Sequence, residues 1–194
     1  MAADRFFAEV VSLACHDLRT PLATVHGFAR TIERLEPEDE RAGRYVGLIV
    51  EGSGQMAALL ERLGLVARIE RGNYEPPRRT VDSLELASAA AALVRAGDVS
   101  VSGNGGPAEV DPDPTERSVA DFFTCALRHG DADPLRCEVR GPELEIGPVT
   151  DVVGRILLGE DLRDFGAAAA RIHLEATGGS VRVDGDSLLV ELPT

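Results

Sequence analysis

Apolar residues recur every three or four positions along two long segments near the start of the chain, the spacing of one face of an α-helix. We refer to these two runs as the apolar stripes. They consist of Phe7, Val11, Ala14, Leu18, Leu22, Val25, Ala29 and Ile32, and of Tyr45, Leu48, Gly52, Met56, Leu59, Leu63 and Val66. The charged segment 36–43 between them contains a proline and is short enough to join antiparallel helices. The pattern therefore predicts a helical hairpin.

Additional apolar residues make the hairpin more hydrophobic than one copy can cover. Leu35, Ile49, Leu60 and Ile69 widen the apolar surface beside the stripes. Packing two copies into a four-helix bundle would bury that surface. We therefore expect a homodimer.

The helical pattern stops at residues 72–79, because Gly72 can end a helix and Pro76-Pro77 cannot continue one. Beyond this point helices are predicted over about 82–95, 114–128 and 166–176, and short strands over 135–139, 143–146, 181–183 and 188–192. This mixture predicts an α+β sandwich with helices on one face of a sheet. We therefore expect a hairpin domain at 1–73, a linker at 74–80 and an α+β domain at 81–194.

The net charge of −13 over 194 residues argues against nucleic-acid binding, which needs a basic face. Residues 74–194 carry 11 arginines and 22 acidic residues, a field that disfavours ATP unless a dedicated site offsets it. The sequence contains no lysine, which excludes a P-loop and a protein-kinase motif. No apolar run is long enough to span a membrane and the N-terminus has no signal-peptide pattern, so we expect no membrane contact and a cytoplasmic protein.

The cysteines, Cys15, Cys125 and Cys137, are odd in number and far apart, and no histidine spacing beside them is typical of zinc sites. We expect free thiols and neither a metal site nor a disulfide. The glycine-rich segment 102–107 is predicted to be a surface turn. His129 and His173 have no pattern of ligands around them, and we expect them to be structural or exposed.

His16 lies on the helix face opposite the first apolar stripe, so we expect it to be exposed to solvent. Asp17 can accept a hydrogen bond from the imidazole and fix its tautomer, which leaves the other ring nitrogen available as a nucleophile. Thr20 brings a hydroxyl to the same face one turn later, and Pro21 loosens the helix there. His26 has no acidic residue after it, so His16 is the better candidate.

The segment CHDLRTPL at residues 15–22 resembles the H-box of bacterial sensor histidine kinases. The end of the second helix, LLERLGLVARIERG, is also similar to that family. The resemblance implies that His16 is the phospho-acceptor of a dimerisation and phosphotransfer domain. It also implies that Asp17 assists proton movement and that Thr20 positions water when a response regulator is dephosphorylated.

The second half resembles the ATP-binding domain of the same family, with departures at the nucleotide site. Residues 110–130 follow the segment carrying the N-box, but Cys125 stands where an asparagine coordinates the magnesium of ATP, and a thiol is a poor magnesium ligand. Gly147 lacks the neighbouring aspartate and second glycine that recognise adenine in the family. The next glycine box is reduced to Asp164-Phe165-Gly166, in which Asp164 would repel phosphates. Only 14 residues precede it after Val149, few for a mobile lid.

These departures predict a histidine phosphotransferase of a two-component phosphorelay, which passes a phosphoryl group between receiver-domain aspartates through His16 without ATP. Its partners would be response regulators. We expect this chain to bind no cofactor, with Mg²⁺ held by the partner receiver domain. One alternative is a divergent ATP-dependent sensor histidine kinase that autophosphorylates His16. The other is a pseudokinase scaffold, or a response-regulator phosphatase acting through Thr20.

Overall fold

The computed structural model describes residues 2–34, 40–94, 98–131 and 134–194. Within these ranges, the side chains of residues 1–10, 12–14, 16 and 17 are not described. The chain divides into two compact units, Met1–Tyr74 and Glu75–Thr194. No helix in the described ranges is both long and apolar enough to cross a lipid bilayer.

The first unit is a helical hairpin made of α1 (Ala2–Arg34) and α2 (Glu40–Glu70). Of the charged segment predicted to join the helices, residues 36–39 lie outside the described residues, and 40–43 already belong to α2. Gly72 ends α2 as predicted, with a positive φ of 69°. Its N–H donates to the carbonyl of Ile69 at 2.8 Å, and the N–H of Asn73 donates to that of Arg68 at 3.1 Å. This pair of bonds is a Schellman motif, which satisfies the last carbonyls of the helix.

In the part of the hairpin whose side chains the structure describes, the buried residues are mostly small. They are Cys15, Ala29, Val46, Val50, Ser53, Gly64 and Ala67. In contrast, members of both stripes are exposed in the single chain, for example Leu18 at 54%, Tyr45 at 59% and Leu59 at 48%. Among the described side chains of the two stripes, Ala29 alone is buried within one chain. The other described stripe residues would be buried only by a second copy, which the homodimer prediction requires.

The second unit is an α+β fold, as predicted. Its strands are β1 (Arg79–Asp82), β2 (Val99–Gly105), β3 (Pro107–Val110), β4 (Leu135–Gly141), β5 (Glu143–Gly147), β6 (Ser180–Asp184) and β7 (Ser187–Glu191). Its helices are α3 (Ser83–Ala92), α4 (Pro112–His129), α5 (Asp151–Leu157) and α6 (Phe165–Ala176). Strands β1 and β3 pair antiparallel, while the larger sheet has the order β2-β4-β5-β7-β6. Only the β2–β4 pair of that sheet is parallel.

Burial alternates along the larger sheet, so one face carries the core and the other faces solvent. On β4, Leu135, Cys137 and Val139 are buried while the residues between them are exposed. Helix α4 supplies Phe122 and Phe123, both fully buried. The core therefore lies between the sheet and the helices, and this positions the inner face of α4 in the middle of the unit.

Four elements differ from the sequence prediction, and one of them is β3, where no strand was expected. Residues 102–105, expected in a surface turn, belong to β2, and β1 begins at Arg79, inside the segment predicted as the linker. Gly103 explains the difference at β2, because its φ is 116° and a Cβ there would collide with the carbonyl oxygen of Val139 on β4. Helix α5 was not predicted. It is capped by the Thr150 side chain, which accepts from the N–H of Val153 at 3.3 Å.

Candidate functional site

Helix α1 runs without interruption through residues 15–22, so His16, Asp17 and Thr20 all lie on a regular helix. The side chains of His16 and Asp17 lie outside the described part of the structure. Thr20 is exposed, and helical geometry places position 16 about 40° around the axis from it. Pro21 lies inside α1 and has no N–H to donate to the carbonyl of Asp17, so one helical hydrogen bond is missing at this site.

His26 is placed between the two helices of the hairpin. Its Nδ1 lies 2.8 Å from Oγ of Ser53 on α2, and Ser53 is buried. The Ser53 hydroxyl donates to the carbonyl of Val50 at 3.0 Å, so it accepts from His26. This bond ties α1 to α2, which is a structural role and agrees with the preference for His16 as the nucleophile.

A second group of polar residues meets where the end of α4 faces the beginning of α6. Asp164 caps α6 by accepting from the N–H of Ala167 at 3.1 Å through Oδ1. Its Oδ2 lies 2.9 Å from Nη1 of Arg128. The same Oδ2 lies 3.5 Å from Nε2 of His129. Cys125, one helical turn before His129 on α4, is fully buried. The fold thus brings Cys125 and Asp164, two of the predicted nucleotide-site positions, to one place.

Gly166 belongs to the same region, whereas Gly147 has different neighbours. A Cβ on Gly166 would lie 3.2 Å from Cγ of Asp121 and 3.2 Å from Oδ1 of Asp164. A Cβ on Gly147, at the end of β5, would instead lie 3.0 Å from the carbonyl oxygen of Asp186. Half of the stretch between Val149 and Asp164, expected to be too short for a mobile lid, is the helix α5, whose Val153, Ile156 and Leu157 are buried in the core.

Burial raises the pKa of the Cys125 thiol to about 12, and the negative charges of Asp164 and Asp121 add to this effect. Arg128 acts in the opposite direction. A thiol in this environment is neutral at physiological pH. The fully buried His173, whose Nδ1 lies 2.9 Å from Oγ of Ser118, has its pKa lowered to about 4 by burial and is structural, as expected.

Comparison with known families identifies the hairpin. Residues 8–72 match the family described as the His Kinase A (phospho-acceptor) domain. The match takes in residues of both helices of the hairpin. The resemblance to bacterial sensor histidine kinases, predicted from residues 15–22, is thereby confirmed, and the candidate residues His16, Asp17 and Thr20 all lie within the matched segment.

Proteins similar to this chain include a probable sensor histidine kinase, TcrY of Mycobacterium tuberculosis. It is 28% identical over 95 residues, which cover 46% of this chain and 20% of TcrY. The crystal structure of full-length ShkA in complex with AMPPNP is similar with a TM-score of 0.71 and 21% identity, over 95% of this chain and 45% of that one. The Acinetobacter baumannii histidine kinase AdeS matches with a TM-score of 0.58 and 17% identity, and the match covers 92% of this chain and 97% of AdeS. The chain thus spans a fifth of TcrY and less than half of ShkA, and the structural matches establish the predicted fold class.

The residue at the magnesium-anchoring position of the resembled family does not fit Mg²⁺. Mg²⁺ requires oxygen ligands in a nearly octahedral arrangement, and the position expected to anchor it holds the neutral, buried thiol of Cys125. The expected asparagine is thus replaced in this chain by a group that is a poor ligand for Mg²⁺.

The sequence analysis did not predict that His129 lies close to Cys125 and Asp164, because no ligand pattern surrounds it in the sequence. The structure places it four residues after Cys125 on α4, with Asp164 across from both. The spacing of four residues was visible in the sequence and puts both side chains on one helix face. Asp164, however, joins them only through the tertiary fold.

Proposed function

We propose that the chain is a histidine phosphotransferase that passes a phosphoryl group between response-regulator aspartates through His16 without using ATP. The observation that carries the proposal is Cys125 near the end of α4, a buried and neutral thiol at the position where the resembled family has the asparagine that coordinates the magnesium of ATP. The hairpin, in contrast, keeps the complete segment CHDLRTPL.

The reaction needs little from this chain besides a positioned imidazole. A ring nitrogen of His16 forms a bond to phosphorus as the bond between phosphorus and the aspartyl oxygen of the receiver breaks, and the aspartate leaves as a carboxylate. Asp17 takes up the proton of the other ring nitrogen. Such loose in-line transfers depend mainly on positioning and charge neutralisation, which the Mg²⁺ of the receiver domain supplies. The return transfer reverses each step.

A homodimer is part of this proposal. The exposed apolar side chains of the hairpin are Leu18, Val25, Phe28, Ile32, Tyr45, Leu48, Ile49, Met56 and Leu59. A monomer would leave this large patch in water, whereas a four-helix bundle buries it. Position 16 lies about 160° around α1 from Leu18, so the bundle leaves the His16 face free for a receiver domain.

The experiment that tests the proposal compares two phosphoryl donors on the same protein. The chain is incubated with radiolabelled ATP and Mg²⁺ in one arm and with a labelled phospho-receiver domain in the other, and acid-labile label on the chain is scored. We expect label only from the receiver. Label from ATP alone would establish the divergent kinase, which is the alternative favoured by the similarity to the probable kinase TcrY.

The same experiment also tests the remaining alternative, a response-regulator phosphatase or a pseudokinase scaffold. If neither donor labels the chain while the receiver loses its phosphate faster than alone, the protein is a phosphatase, for which the exposed Thr20 is the candidate. If nothing changes in either arm, it is a scaffold. Both outcomes would overturn the proposed transfer through His16.

A further inference from the structure

The side chains of Cys125, His129 and Asp164, which we call the Cys125 cluster, combine three different kinds of metal ligand. One ligand atom from each, a sulfur, a ring nitrogen and a carboxylate oxygen, lies within 4.8 Å of the other two. Cys125 and Asp164 are buried, and His129 is partly buried. Among the residues that the structure describes, no other group of this kind comes together.

One polar atom of the Cys125 cluster lacks a hydrogen-bond partner among the described residues. This atom is Nε2 of His129, which is buried, and its distance of 3.5 Å to Oδ2 of Asp164 is too long for a good hydrogen bond. A buried polar atom without a partner costs free energy. A metal ion between the nitrogen, the sulfur and the carboxylate would satisfy it.

The three kinds of ligand atom determine which metal ion would bind. Thiolate and imidazole favour zinc and similar transition metals over Mg²⁺, and a tetrahedral zinc ion with these ligands holds them about 3.3–3.7 Å from one another. The nitrogen–oxygen distance of 3.5 Å already meets this condition. The remaining distances, at up to 4.8 Å, need a contraction of about 1 Å, within the reach of side-chain rotation.

The charges around the cluster also favour a dication. The carboxylates of Asp164 and Asp121 both act on the Cys125 sulfur. A bound dication would be attracted by them and would hold the sulfur as a thiolate. Arg128 neutralises only part of this negative charge through its bond to Oδ2 of Asp164. Its side chain is exposed, so it can rotate away from Asp164 and leave Oδ2 to the metal ion.

We propose that Cys125, His129 and Asp164 bind a thiophilic divalent transition-metal ion, with Zn²⁺ as the expected occupant. Three protein ligands leave one tetrahedral position for water or another small ligand. The ion would join the end of α4 to the beginning of α6, where the nucleotide site of the resembled family would lie. The three proposed ligands belong to the second unit and His16 to the first, and the zinc titration below does not depend on phosphotransfer.

The test is a zinc titration of the full chain, kept reduced with a phosphine, in competition with a chromophoric chelator. We expect one Zn²⁺ per chain with a Kd of about 1 μM or lower. Replacing Zn²⁺ with Co²⁺ should produce a thiolate-to-cobalt charge-transfer band, which reports the sulfur ligand directly. Saturating Zn²⁺ should also raise the melting temperature of the protein.

Single substitutions locate the ion. Cys125→Ala and His129→Gln should each weaken zinc binding about ten-fold or more, and Cys125→Ala should also abolish the cobalt band. Cys137→Ala is the matched control, because Cys137 is an equally buried thiol on β4 outside the cluster. His26→Gln serves the same purpose for the histidine, and both controls should bind zinc like the unmodified chain.

Two results would overturn the proposal: no saturable binding by the unmodified chain, or binding that survives both Cys125→Ala and His129→Gln. If Cys125→Ala does not fold, as shown by circular dichroism, His129→Gln still decides, because His129 is partly exposed at the last turn of α4. The cobalt spectrum of the unmodified chain is a second test, which needs no variant. If the thiolate-to-cobalt band is absent, Cys125 is not a ligand and the proposal is wrong.

Discussion

His16 is the residue on which the proposed phosphotransfer depends. A His16→Gln substitution keeps a polar side chain of good helix propensity and removes the nucleophile. We expect this variant to keep its helical content and its oligomeric state and to lose all acid-labile label from a phospho-receiver.

The matched control for that prediction is His26→Gln, in which the amide can still bond to Ser53 across the hairpin. It should accept label at the rate of the unmodified chain. Label that persists in His16→Gln, or that disappears in His26→Gln while the fold is intact, would place the acceptor elsewhere.

His173 predicts a pH dependence of stability. Burial lowers its pKa from the usual 6.5 to about 4, so between these values the unfolded chain binds a proton that the folded chain does not. Stability is therefore unaffected by this group above about pH 7 and falls as the pH drops through 6.5 toward 4, by up to about 3 kcal/mol. Urea unfolding at pH 7 and pH 5 measures the effect.

A His173→Gln variant should reduce this loss, because the amide does not titrate and can still meet Ser118. Burial raises the pKa of both Asp111 and Glu116, so these two groups stabilise the fold as the pH falls. They are present in the unmodified chain and in His173→Gln alike, and their effect cancels when the two proteins are compared. An unchanged difference between pH 7 and pH 5 in His173→Gln would show that His173 is not the cause.

At the scale of elements, the glycine-rich segment 102–107 is the clearest case in which a composition signal was misleading. Glycine clusters are typical of turns, yet Gly103 lies in β2, opposite Val139 on the parallel neighbour β4. The glycine is needed because its φ is positive and because a Cβ would collide with the backbone of Val139.

Gly103→Ala should therefore lower the free energy of unfolding by about 2 kcal/mol or more, through backbone strain and separation of β2 from β4. Chemical denaturation measures this change. The neighbouring Ser102 is exposed on the same strand, and Ser102→Ala should change stability by less than about 0.5 kcal/mol. Equal stability of the two variants would contradict the close approach at Gly103.

At the scale of the whole molecule, the exposed apolar surface of the hairpin determines the oligomeric state. Leu59 is 48% exposed in the single chain, and its full burial in a four-helix bundle would contribute about 1.5–3 kcal/mol. We expect the unmodified chain to sediment as a dimer at micromolar concentration and Leu59→Asp to sediment as a monomer with little loss of helix.

The control for dimerisation is Leu162→Asp, because Leu162 is 81% exposed and lies in the other unit. This variant should remain a dimer. A monomeric unmodified chain, or a Leu59→Asp variant that stays dimeric, would rule out the four-helix bundle through this face.

The sequence by itself determined the helical hairpin, its end at Gly72, the strands from β4 onward and the family of the phospho-acceptor segment. These features are local: residue spacing, turn residues and the string CHDLRTPL are all read from neighbouring positions. The sequence also identified Cys125 and Asp164 as departures from the nucleotide-binding pattern, through resemblance alone.

Only the tertiary structure decided which apolar residues close the hairpin and which residues meet Cys125. Periodicity reveals that a helix has an apolar face, but it does not show which members of that face pack within one chain: Ala29 is buried, whereas Leu18 and Val25 of the same stripe are exposed. Arg128 and Asp164 are separated by 36 positions, so their contact depends on how α4 and α6 pack together. Contacts between distant residues follow from packing, and no local pattern in the chain contains them.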